Sequence, residues 1–423
     1  MIELDRPPIT EKAILVRLAL PDDSEQEIED SMAEMGRLAW TAGADTVLRV
    51  VQRRAAPCPA TLIGAGKVEE IRLAAQELNA AIVLVDSELS PKQSTKLSDA
   101  IGVKVIDRTQ LILDIFAQRA HTNEGKLQVE LAQLEYALPR LTGHGIQLMQ
   151  QGAGIGTRGP GEKKLEVDRR YIRQRINRLK NDLEHVRSHR RIQRKRRTEN
   201  NVATVALVGY TNAGKSSLLN ALTKANVFVE DRLFATLDPT SRRVELPSGR
   251  TIILTDTVGF IRKLPHGLVA SFRATLEEVL EADLLLHVVD GSHHAVAEHI
   301  AAVNMVLEEI GAESKPTCMV YNKADMVEAG QVACLQTCDP DSVAVSAHTG
   351  RGLDDLLCCV DRQLADSRQR VRLRIPQSDA RVIAKLHDRG RVLGQSYEGN
   401  VIVVEAELDP ALAGQLEAYI ACG

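Results

Sequence analysis

Short apolar runs alternate with stretches of helical spacing over the first part of the chain. Four runs are short enough for strands, at 13–18, 46–51, 81–85 and 103–106. Between them, apolar positions recur with helical spacing over 24–42, 67–79 and 109–119. This alternation predicts an α/β domain with a largely parallel sheet, which we assign to residues 1–121.

The hydrophobic pattern then changes to steps of four and three residues. A first set comprises Leu127, Leu131, Leu134, Leu138 and Leu141. A second set with the same steps comprises Ile172, Ile176, Leu179, Leu183 and Val186. Two matching seams predict an antiparallel helical hairpin over 122–200. Its connector, 142–161, holds seven glycines, and a long irregular connection of this kind is typically functional or disordered.

The β/α alternation resumes at 201 and continues to 366, which predicts a second, larger α/β domain. Beyond it, apolar residues alternate over 371–375 as in a strand. A helix (378–389), a strand (400–406) and a last helix (409–420) are predicted to complete a small C-terminal α/β domain, residues 367–423. The fold class is therefore α/β and multidomain, with a helical hairpin after the first domain.

Composition adds little until the charge is examined locally. The 423 residues are 44% hydrophobic and 26% charged, as in a soluble globular protein, and the net charge is −4. Segment 158–197, however, has sixteen Lys/Arg and five Asp/Glu, a net charge of +11 that leaves −15 elsewhere. A solvated helix face with internal ion pairs is one interpretation. Five acids cannot pair sixteen bases, so contact with a polyanion is favoured.

Other compositional features exclude some classes of protein. Only 3% of residues are aromatic, which disfavours binding of nucleic acid through stacked bases. The seven cysteines contain no C-x-x-C pair, which disfavours a zinc-finger framework. No apolar run approaches eighteen residues and no secretory signal precedes the first strand, so we expect a cytoplasmic protein with no membrane contact.

A phosphate-binding loop follows the apolar run 202–208. The sequence GYTNAGKS is G-x-x-x-x-G-K-S between a predicted strand and a predicted helix, the context that this motif requires. Its backbone N–H groups cradle phosphates, Lys215 is expected to reach the β- and γ-phosphates, and the Ser216 hydroxyl is expected to bind Mg²⁺. The predicted phosphate-binding residues are Gly209, Tyr210, Thr211, Asn212, Ala213, Gly214, Lys215 and Ser216.

Two later motifs predict that the base is guanine. NKAD comprises Asn322, Lys323, Ala324 and Asp325 and follows the apolar run 316–321. The Asp325 carboxylate can accept hydrogen bonds from N1 and the exocyclic amine of guanine, whereas adenine offers no such pair of donors. In SAHTG (346–350), the Ala347 N–H is a candidate donor to guanine O6, between Ser346 and His348. The combination predicts binding of GTP and GDP.

Two segments between these motifs have the character of nucleotide switches. DTVG comprises Asp256, Thr257, Val258 and Gly259, with Asp256 behind the Mg²⁺ and the Gly259 N–H at the γ-phosphate. FATLD comprises Phe234, Ala235, Thr236, Leu237 and Asp238. We assign Thr236 as a second Mg²⁺ ligand in the GTP state, with Thr240 as the alternative. Loss of the γ-phosphate would release both segments.

The motifs leave two interpretations of how water is activated for hydrolysis. Many GTPases have Gln directly after DTVG, but this chain has Phe260, which cannot hydrogen-bond to water. Either the switch is inert, or another group acts, completed by a partner. Asn212 suggests the second possibility, because it can help to hold a K⁺ ion near the phosphates. The candidate catalytic residues are therefore Lys215, Asn212 and Gly259.

These motifs resemble those of the HflX family of GTPases. The most specific match is GAGIGTRGPGEKKLEVDRR (152–170), joined by GYTNAGKS, FATLD, DTVGF and NKAD. The resemblance covers nearly the whole chain and implies Mg²⁺-dependent GTP hydrolysis and binding to the large ribosomal subunit. Some members separate stalled ribosomes into subunits. From the local charge and the glycine content, we expect 142–161 to enter the large subunit near its functional centre, while 163–197 follows the RNA backbone.

We therefore expect a GTPase that is slow alone, stimulated by the ribosome, and monomeric away from it. Two alternatives stay open: a GTP-gated RNA-binding switch with little intrinsic hydrolysis, and an assembly or tRNA-modification GTPase. The hallmark at 152–170 argues against the second of these. GAGK at 64–67 is interpreted as a helix-start turn, with a phosphate contact as the alternative.

Overall fold

A computed structural model of the chain describes residues 11–142, 160–199, 202–223, 233–234, 236–262, 273–328, 339, 341–366, 369–389, 391–408, 414, 416 and 419–420. The chain forms two compact units, each built from several stretches of sequence. The first unit comprises Met1–Ser188, Phe228–Pro239 and Thr257–Glu277. The second unit comprises His189–Val227, Thr240–Asp256 and Glu278–Gly423.

The first unit contains a four-stranded parallel sheet, in the strand order β2-β1-β3-β4. Its strands are β1 (Glu11–Ala19), β2 (Ala44–Arg53), β3 (Ile82–Val85) and β4 (Lys104–Asp107). The helices between and after them are α1 (Glu25–Thr41), α2 (Ala65–Leu78), α3 (Pro91–Ile101) and α4 (Arg108–Arg119). The predicted parallel α/β sheet is confirmed.

Helix α3 was missing from the sequence prediction. Its sequence, PKQSTKLSDAI, buries only Leu97 and Ile101, so its hydrophobic pattern is too sparse to reveal a helix. The start of the helix is specified instead by polar side chains. Ser90 and Gln93 form a capping box, in which each side chain bonds the backbone N–H of the other residue.

The GAGK segment forms the turn into α2, as predicted. Gly64 is the residue before the first turn, and its N–H donates to the side-chain oxygen of Gln52 at 2.8 Å. A Cβ at this position would press on the guanidinium of Arg54 and the amide of Gln52. Gly64 therefore lies at the start of a helix, next to the ends of two flexible side chains.

The first four members of each predicted apolar seam pack into one shared cluster, whereas the predicted fifth members, Leu141 and Val186, do not belong to it. Helix α5 (Asn123–Ala137) is followed by a 3₁₀ turn (Leu138–Thr142), and α6 (Pro160–Glu199) carries the second seam. The shared cluster contains Leu127, Leu131, Leu134, Leu138, Ile172, Ile176, Leu179 and Leu183. Arg175 forms a bidentate ion pair with Glu130, in which Nε and Nη2 donate to the two carboxylate oxygens at 2.7 and 2.8 Å. The glycine-rich connector lies outside the described residues from 143 to 159.

The second unit contains a six-stranded sheet in the order β10-β9-β8-β5-β7-β6, in which only β6 is antiparallel to its neighbour. Its strands are β5 (Thr204–Gly209), β6 (Thr240–Glu245), β7 (Thr251–Asp256), β8 (Leu284–Asp290), β9 (Thr317–Asn322) and β10 (Val343–Ala344). The accompanying helices are α7 (Lys215–Thr223), α8 (Arg273–Glu281), α9 (Val296–Ile310) and α10 (Leu353–Asp366). Loops at the carboxyl ends of parallel strands form ligand sites in such sheets, and this edge carries GYTNAGKS and NKAD.

The C-terminal part of the second unit is a three-stranded antiparallel sheet with one helix between its strands. It comprises β11 (Gln369–Pro376), α11 (Ala380–Arg389), β12 (Arg391–Glu398) and β13 (Val401–Leu408), in the order β11-β13-β12. The sequence prediction missed β12, because its run Gly-Gln-Ser at 394–396 breaks the apolar alternation. Most of the predicted last helix, 409–420, lies outside the described residues. None of the helices in the described ranges has the apolar length needed to cross a membrane.

Candidate nucleotide site

The phosphate-binding loop leaves β5 at Gly209 and enters α7 at Lys215. Two of its glycines are required by close contacts. A Cβ on Gly209 would overlap the carbonyl oxygen of Val288, and a Cβ on Gly214 would overlap the amide nitrogen of Asn322. Both glycines also have positive φ, +153° and +91°, which other residues rarely adopt. The predicted loop is therefore built into the sheet edge by its neighbours.

Lys215 lies inside this loop. Its side chain is buried, and its Nζ donates to the carbonyl oxygens of Gly209 at 3.0 Å and Tyr210 at 2.9 Å. Burial lowers the pKa of Lys215 to about 8, although the charge of Asp256 opposes the shift. The ammonium group is thus held by two neutral oxygens, which phosphate oxygens can replace with stronger, charge-assisted bonds.

Oxygen ligands suitable for Mg²⁺ meet beside the loop. The Ser216 hydroxyl in the first turn of α7 donates to the carboxylate of Asp256, at the end of β7, over 2.6 Å. A hydroxyl backed by a carboxylate suits the hard, oxygen-binding Mg²⁺ ion. In the same loop the Thr211 hydroxyl is buried without a partner among the described atoms, and a ligand would satisfy such a group. The residues present therefore fit Mg²⁺ and phosphate.

Asn322 joins the phosphate-binding loop to the later SAHTG loop. Its side-chain nitrogen donates to the carbonyl oxygen of Ala213 at 2.9 Å, and its side-chain oxygen accepts from the N–H of Ala347 at 3.1 Å. This is the bracing role predicted from sequence. It also uses the Ala347 N–H, for which the sequence had predicted donation to guanine O6. The prediction overlooked that a side-chain amide oxygen competes for this donor.

Asp325 has the properties that guanine recognition needs. Its side chain is exposed and therefore open to a base. A hydrogen bond from the Ser346 hydroxyl lowers the pKa of Asp325, which keeps the carboxylate ionised as an acceptor. The preceding Lys323 adopts a positive φ of 62°, and its Nζ pairs with Asp290 at 2.6 Å, so the loop is held from both sides.

The switch motifs fall into the other unit. FATLD and the TVG of DTVG belong to the first unit, whereas Asp256 belongs to the second. Of these residues, Phe234, Leu237, Thr257 and Val258 are buried, Thr236 and Asp238 are half-buried, and Ala235 lies outside the described set. The alternative Mg²⁺ ligand, Thr240, is the first residue of β6, opposite Asp256 in the second unit.

Phe260 is buried in the first unit, with 1% of its surface exposed. Its apolar ring fills space and offers no atom to a water molecule. That the residue after DTVG does not orient the attacking water stays a prediction.

Two histidines, His299 and His287, interact with residues of the loop and were not predicted from the sequence. The ring of Tyr210 stacks on His299 of α9, with centroids 3.9 Å apart and planes 9° apart. His287 lies in the middle of β8, and burial together with Lys215 lowers its pKa to about 4. A lone polar residue in the apolar run LLLHVVD was the only signal of His287, and a single stacked pair leaves no motif.

Comparison with known proteins finds similar families and structures. Three family models match the chain: the GTP-binding GTPase N-terminal region over residues 29–117, the GTP-binding GTPase middle region over 119–197, and the 50S ribosome-binding GTPase over 204–323. A crystal structure of a GTP-binding protein from Sulfolobus solfataricus in complex with GDP aligns with 84% of this chain and 100% of its own. It is 24% identical, with a TM-score of 0.44.

Curated relatives extend the similarity over the whole length. The GTPase HflX of Caldanaerobacter subterraneus is 48% identical over 410 residues, covering 97% of this chain and 94% of its own. The GTPase HflX of Escherichia coli is 45% identical over 385 residues, covering 90% of each chain. The chain therefore belongs to the HflX family of GTPases.

Proposed function

We propose that this GTPase binds the large ribosomal subunit through its helical hairpin, and that GTP controls this binding. The observation that carries the proposal is the charge of +11 on segment 158–197, most of which forms α6. Arg170, Arg173 and Arg178 on this helix are exposed, and none has an acidic partner among the described residues. Such arginines are suited to bind RNA phosphates.

The description of the matching family model, a 50S ribosome-binding GTPase, supports the large subunit as the partner. The connector 142–161 is proposed to enter the subunit near its functional centre. Its seven glycines leave it slim enough for an RNA-lined cavity. The cellular role that follows is splitting or rescue of ribosomes under stress, or a step in translation or ribosome biogenesis.

We assign the roles at the nucleotide site from the motifs and the contacts around them. Lys215 binds the β- and γ-phosphates, Asp325 binds guanine, and the Gly259 N–H binds the γ-phosphate. Ser216 and Thr236 are the proposed Mg²⁺ ligands, and the ion neutralises charge on the phosphates. Asn212, which is exposed with a φ of 62°, is the proposed ligand of a K⁺ ion.

Removing charge from the exposed face of α6 tests the proposal. We expect R170Q/R173Q/R178Q to weaken binding to large subunits. The slope of log Kd against log [salt] is expected to decrease by about one for each arginine that no longer binds a phosphate. The matched control is K92Q/K96Q/K104Q, which removes three exposed positive charges from the first domain. Binding is measured by co-sedimentation between 50 and 300 mM KCl, roughly the range over which counterion release is resolved.

Unchanged affinity and salt slope in the α6 variant would contradict the proposal. An equal loss in the control would mean that total charge, not the hairpin, governs binding. Replacement of 142–161 by a short linker is expected to abolish effects on ribosomes while GTP binding stays intact.

A second candidate function is a GTP-gated RNA-binding switch with little intrinsic hydrolysis, which the buried Phe260 favours. Single-turnover hydrolysis with saturating large subunits distinguishes the two. A rate that rises with large subunits supports the ribosome-stimulated GTPase. An unchanged rate, together with subunit splitting in the presence of a non-hydrolysable GTP analogue, supports the switch.

A further inference from the structure

Within the first unit, the FATLD segment is attached to the start of helix α5. The carboxylate of Asp238 accepts three hydrogen bonds there. The donors are the backbone N–H groups of His121, at 2.9 Å, and Thr122, at 2.8 Å, and the hydroxyl of Thr122, at 2.5 Å. All three of these donors come from the two residues that precede α5.

This contact joins the structural cap of the helix. Thr122 is the N-cap of α5, and its hydroxyl oxygen also accepts from the N–H of Gly125 at 3.0 Å. A negative charge at a helix N-terminus is favourable, because the free N–H groups there carry partial positive charge. A Cβ on Gly125 would overlap Asp238 Oδ1, so the carboxylate fits only because residue 125 is glycine.

Two further contacts hold FATLD and the residues that follow DTVG to α4, the helix directly before α5. The ring of Phe234 meets that of Phe116 edge to face, with centroids 4.8 Å apart, and Phe234 has a positive φ of 57°. At the other end of α4, Arg108 donates to the carbonyl oxygen of Arg262 at 3.0 Å. The same guanidinium is buried and paired with Glu34 and Asp86, so this contact comes from a fixed group.

We propose that the start of α5 is the docking site of switch I, the FATLD segment (234–238), and that the contact of Asp238 with Thr122 passes the nucleotide state to the hairpin. The inference rests on the proposed function of the hairpin. Asp238 lies two residues after Thr236, the proposed Mg²⁺ ligand, so a movement of Thr236 toward Mg²⁺ and the γ-phosphate displaces Asp238. Helix α5 carries one seam of the hairpin, and a change at its first turn therefore acts on the element that binds RNA.

Thr122 and Gly125 are positioning residues in this scheme, and each offers a variant. Gly125→Ala keeps the backbone donor and favours the helix, but its methyl group excludes the carboxylate. Gly66→Ala is the matched control, because Gly66 lies in the first turn of α2 with nothing within 4 Å of the added Cβ. Thr122→Val removes the hydroxyl, and Thr122→Ser restores it.

The first measurement is hydrogen exchange of the His121 and Thr122 amides, with GDP and with a non-hydrolysable GTP analogue. We expect the two states of the wild type to differ at least about tenfold in exchange rate, which corresponds to ~1.4 kcal/mol. The difference is expected to vanish in Gly125→Ala and Thr122→Val, and to persist in Gly66→Ala and Thr122→Ser. Equal exchange in both states of the wild type would overturn the inference.

The second measurement is GTP hydrolysis with and without large subunits. We expect Gly125→Ala and Thr122→Val to lose most of the stimulation by the subunit, while the rate without subunits and the GTP affinity stay near those of the wild type. Full stimulation in both variants would refute the coupling. Absence of stimulation in the wild type itself would count against the proposed function, and the exchange measurement would still decide the inference.

Discussion

The motif residues of this GTPase are held in two contrasting ways. In the second unit, the phosphate-binding loop and NKAD are fixed by buried groups, such as Asn322 between Ala213 and Ala347. In the first unit, switch I is held at the start of α5 by an exposed cap residue and a half-buried carboxylate. Buried, fully bonded groups resist rearrangement, whereas exposed hydrogen bonds exchange with water at small cost. In the roles proposed here, the base and phosphates are therefore recognised by rigidly held groups, whereas the third phosphate is sensed through contacts that can break.

The largest effect is expected from loss of the buried ammonium group in the rigid region. Lys215→Ala removes the ammonium group that bonds two loop carbonyls here. Phosphate oxygens are proposed to take the place of those carbonyls when the nucleotide binds. We expect GTP affinity to fall by about 100-fold or more, since the lysine is proposed to bond both the β- and the γ-phosphate and each charge-assisted hydrogen bond contributes about 1.5–3 kcal/mol. Isothermal titration measures the affinity, with Lys92→Ala as the control, because Lys92 is exposed on α3. A loss below tenfold would contradict the role of Lys215.

The next effect concerns the base. Asp325→Asn replaces an acceptor-only carboxylate with an amide that presents one acceptor and one donor. We expect GTP affinity to fall by about 100-fold, because the N1 and amine donors of guanine lose their common partner. Xanthine carries a carbonyl where guanine carries the amine, so XTP is expected to bind the variant more tightly than GTP does. Competition of GTP and XTP for a fluorescent nucleotide tests this, and preserved preference for GTP would contradict it.

A smaller change in GTP affinity is expected with pH, through the titration of Lys215. Burial lowers its pKa to about 8 in the absence of nucleotide. Below that pH the side chain is charged before and after binding. Above it, Lys215 must take up a proton when GTP binds, and this requirement weakens binding. We therefore expect GTP affinity to fall about tenfold between pH 7 and 9, below the pH at which guanine N1 ionises. A flat profile over this range would show that the buried lysine keeps its proton.

The same shift has a consequence for stability, with the sign opposite to that of a favourably paired lysine. Between about pH 8 and 10.5, the ordinary pKa of a lysine side chain, the unfolded chain binds more protons than the folded one. Lys215 is therefore expected to increase the free energy of unfolding of the nucleotide-free protein as the pH rises over that range. Chemical denaturation of the wild type and of Lys215→Met at pH 8 and 10 would isolate the contribution.

The smallest expected effect tests the ion proposed at Asn212. We expect the hydrolysis rate with KCl to exceed that with NaCl at equal ionic strength by about fivefold, the scale of one hydrogen bond or about 1 kcal/mol. Asn212→Gly should abolish the difference, since glycine tolerates the positive φ there. Asn79→Gly is the matched control, because Asn79 is exposed with a φ of 52° at the end of α2. Equal rates in the two salts would exclude the K⁺ hypothesis.

Sequence patterns predicted most of the fold where hydrophobic periodicity is strong. The parallel sheet of the first domain and the paired seams around Leu131 and Leu179 follow from spacing alone. Helix α3 and strand β12 were not predicted, because a polar helix and a strand interrupted by glycine have weak hydrophobic periodicity. At the site, GYTNAGKS and NKAD predicted the bracing role of Asn322, but not the competition for the Ala347 N–H.

The sequence by itself determined the chemistry of this protein. A buried strand, a glycine loop and NKAD leave few alternatives to a guanine nucleotide, because spacing along one chain sets which groups reach the phosphates and the base. Only the tertiary structure decided where the switch residues are held. The hydrogen bonds of Asp238 with His121 and Thr122, just before α5, and of Arg108 with the Arg262 carbonyl join residues more than 100 positions apart. No local pattern encodes such contacts, since they arise from how whole elements pack.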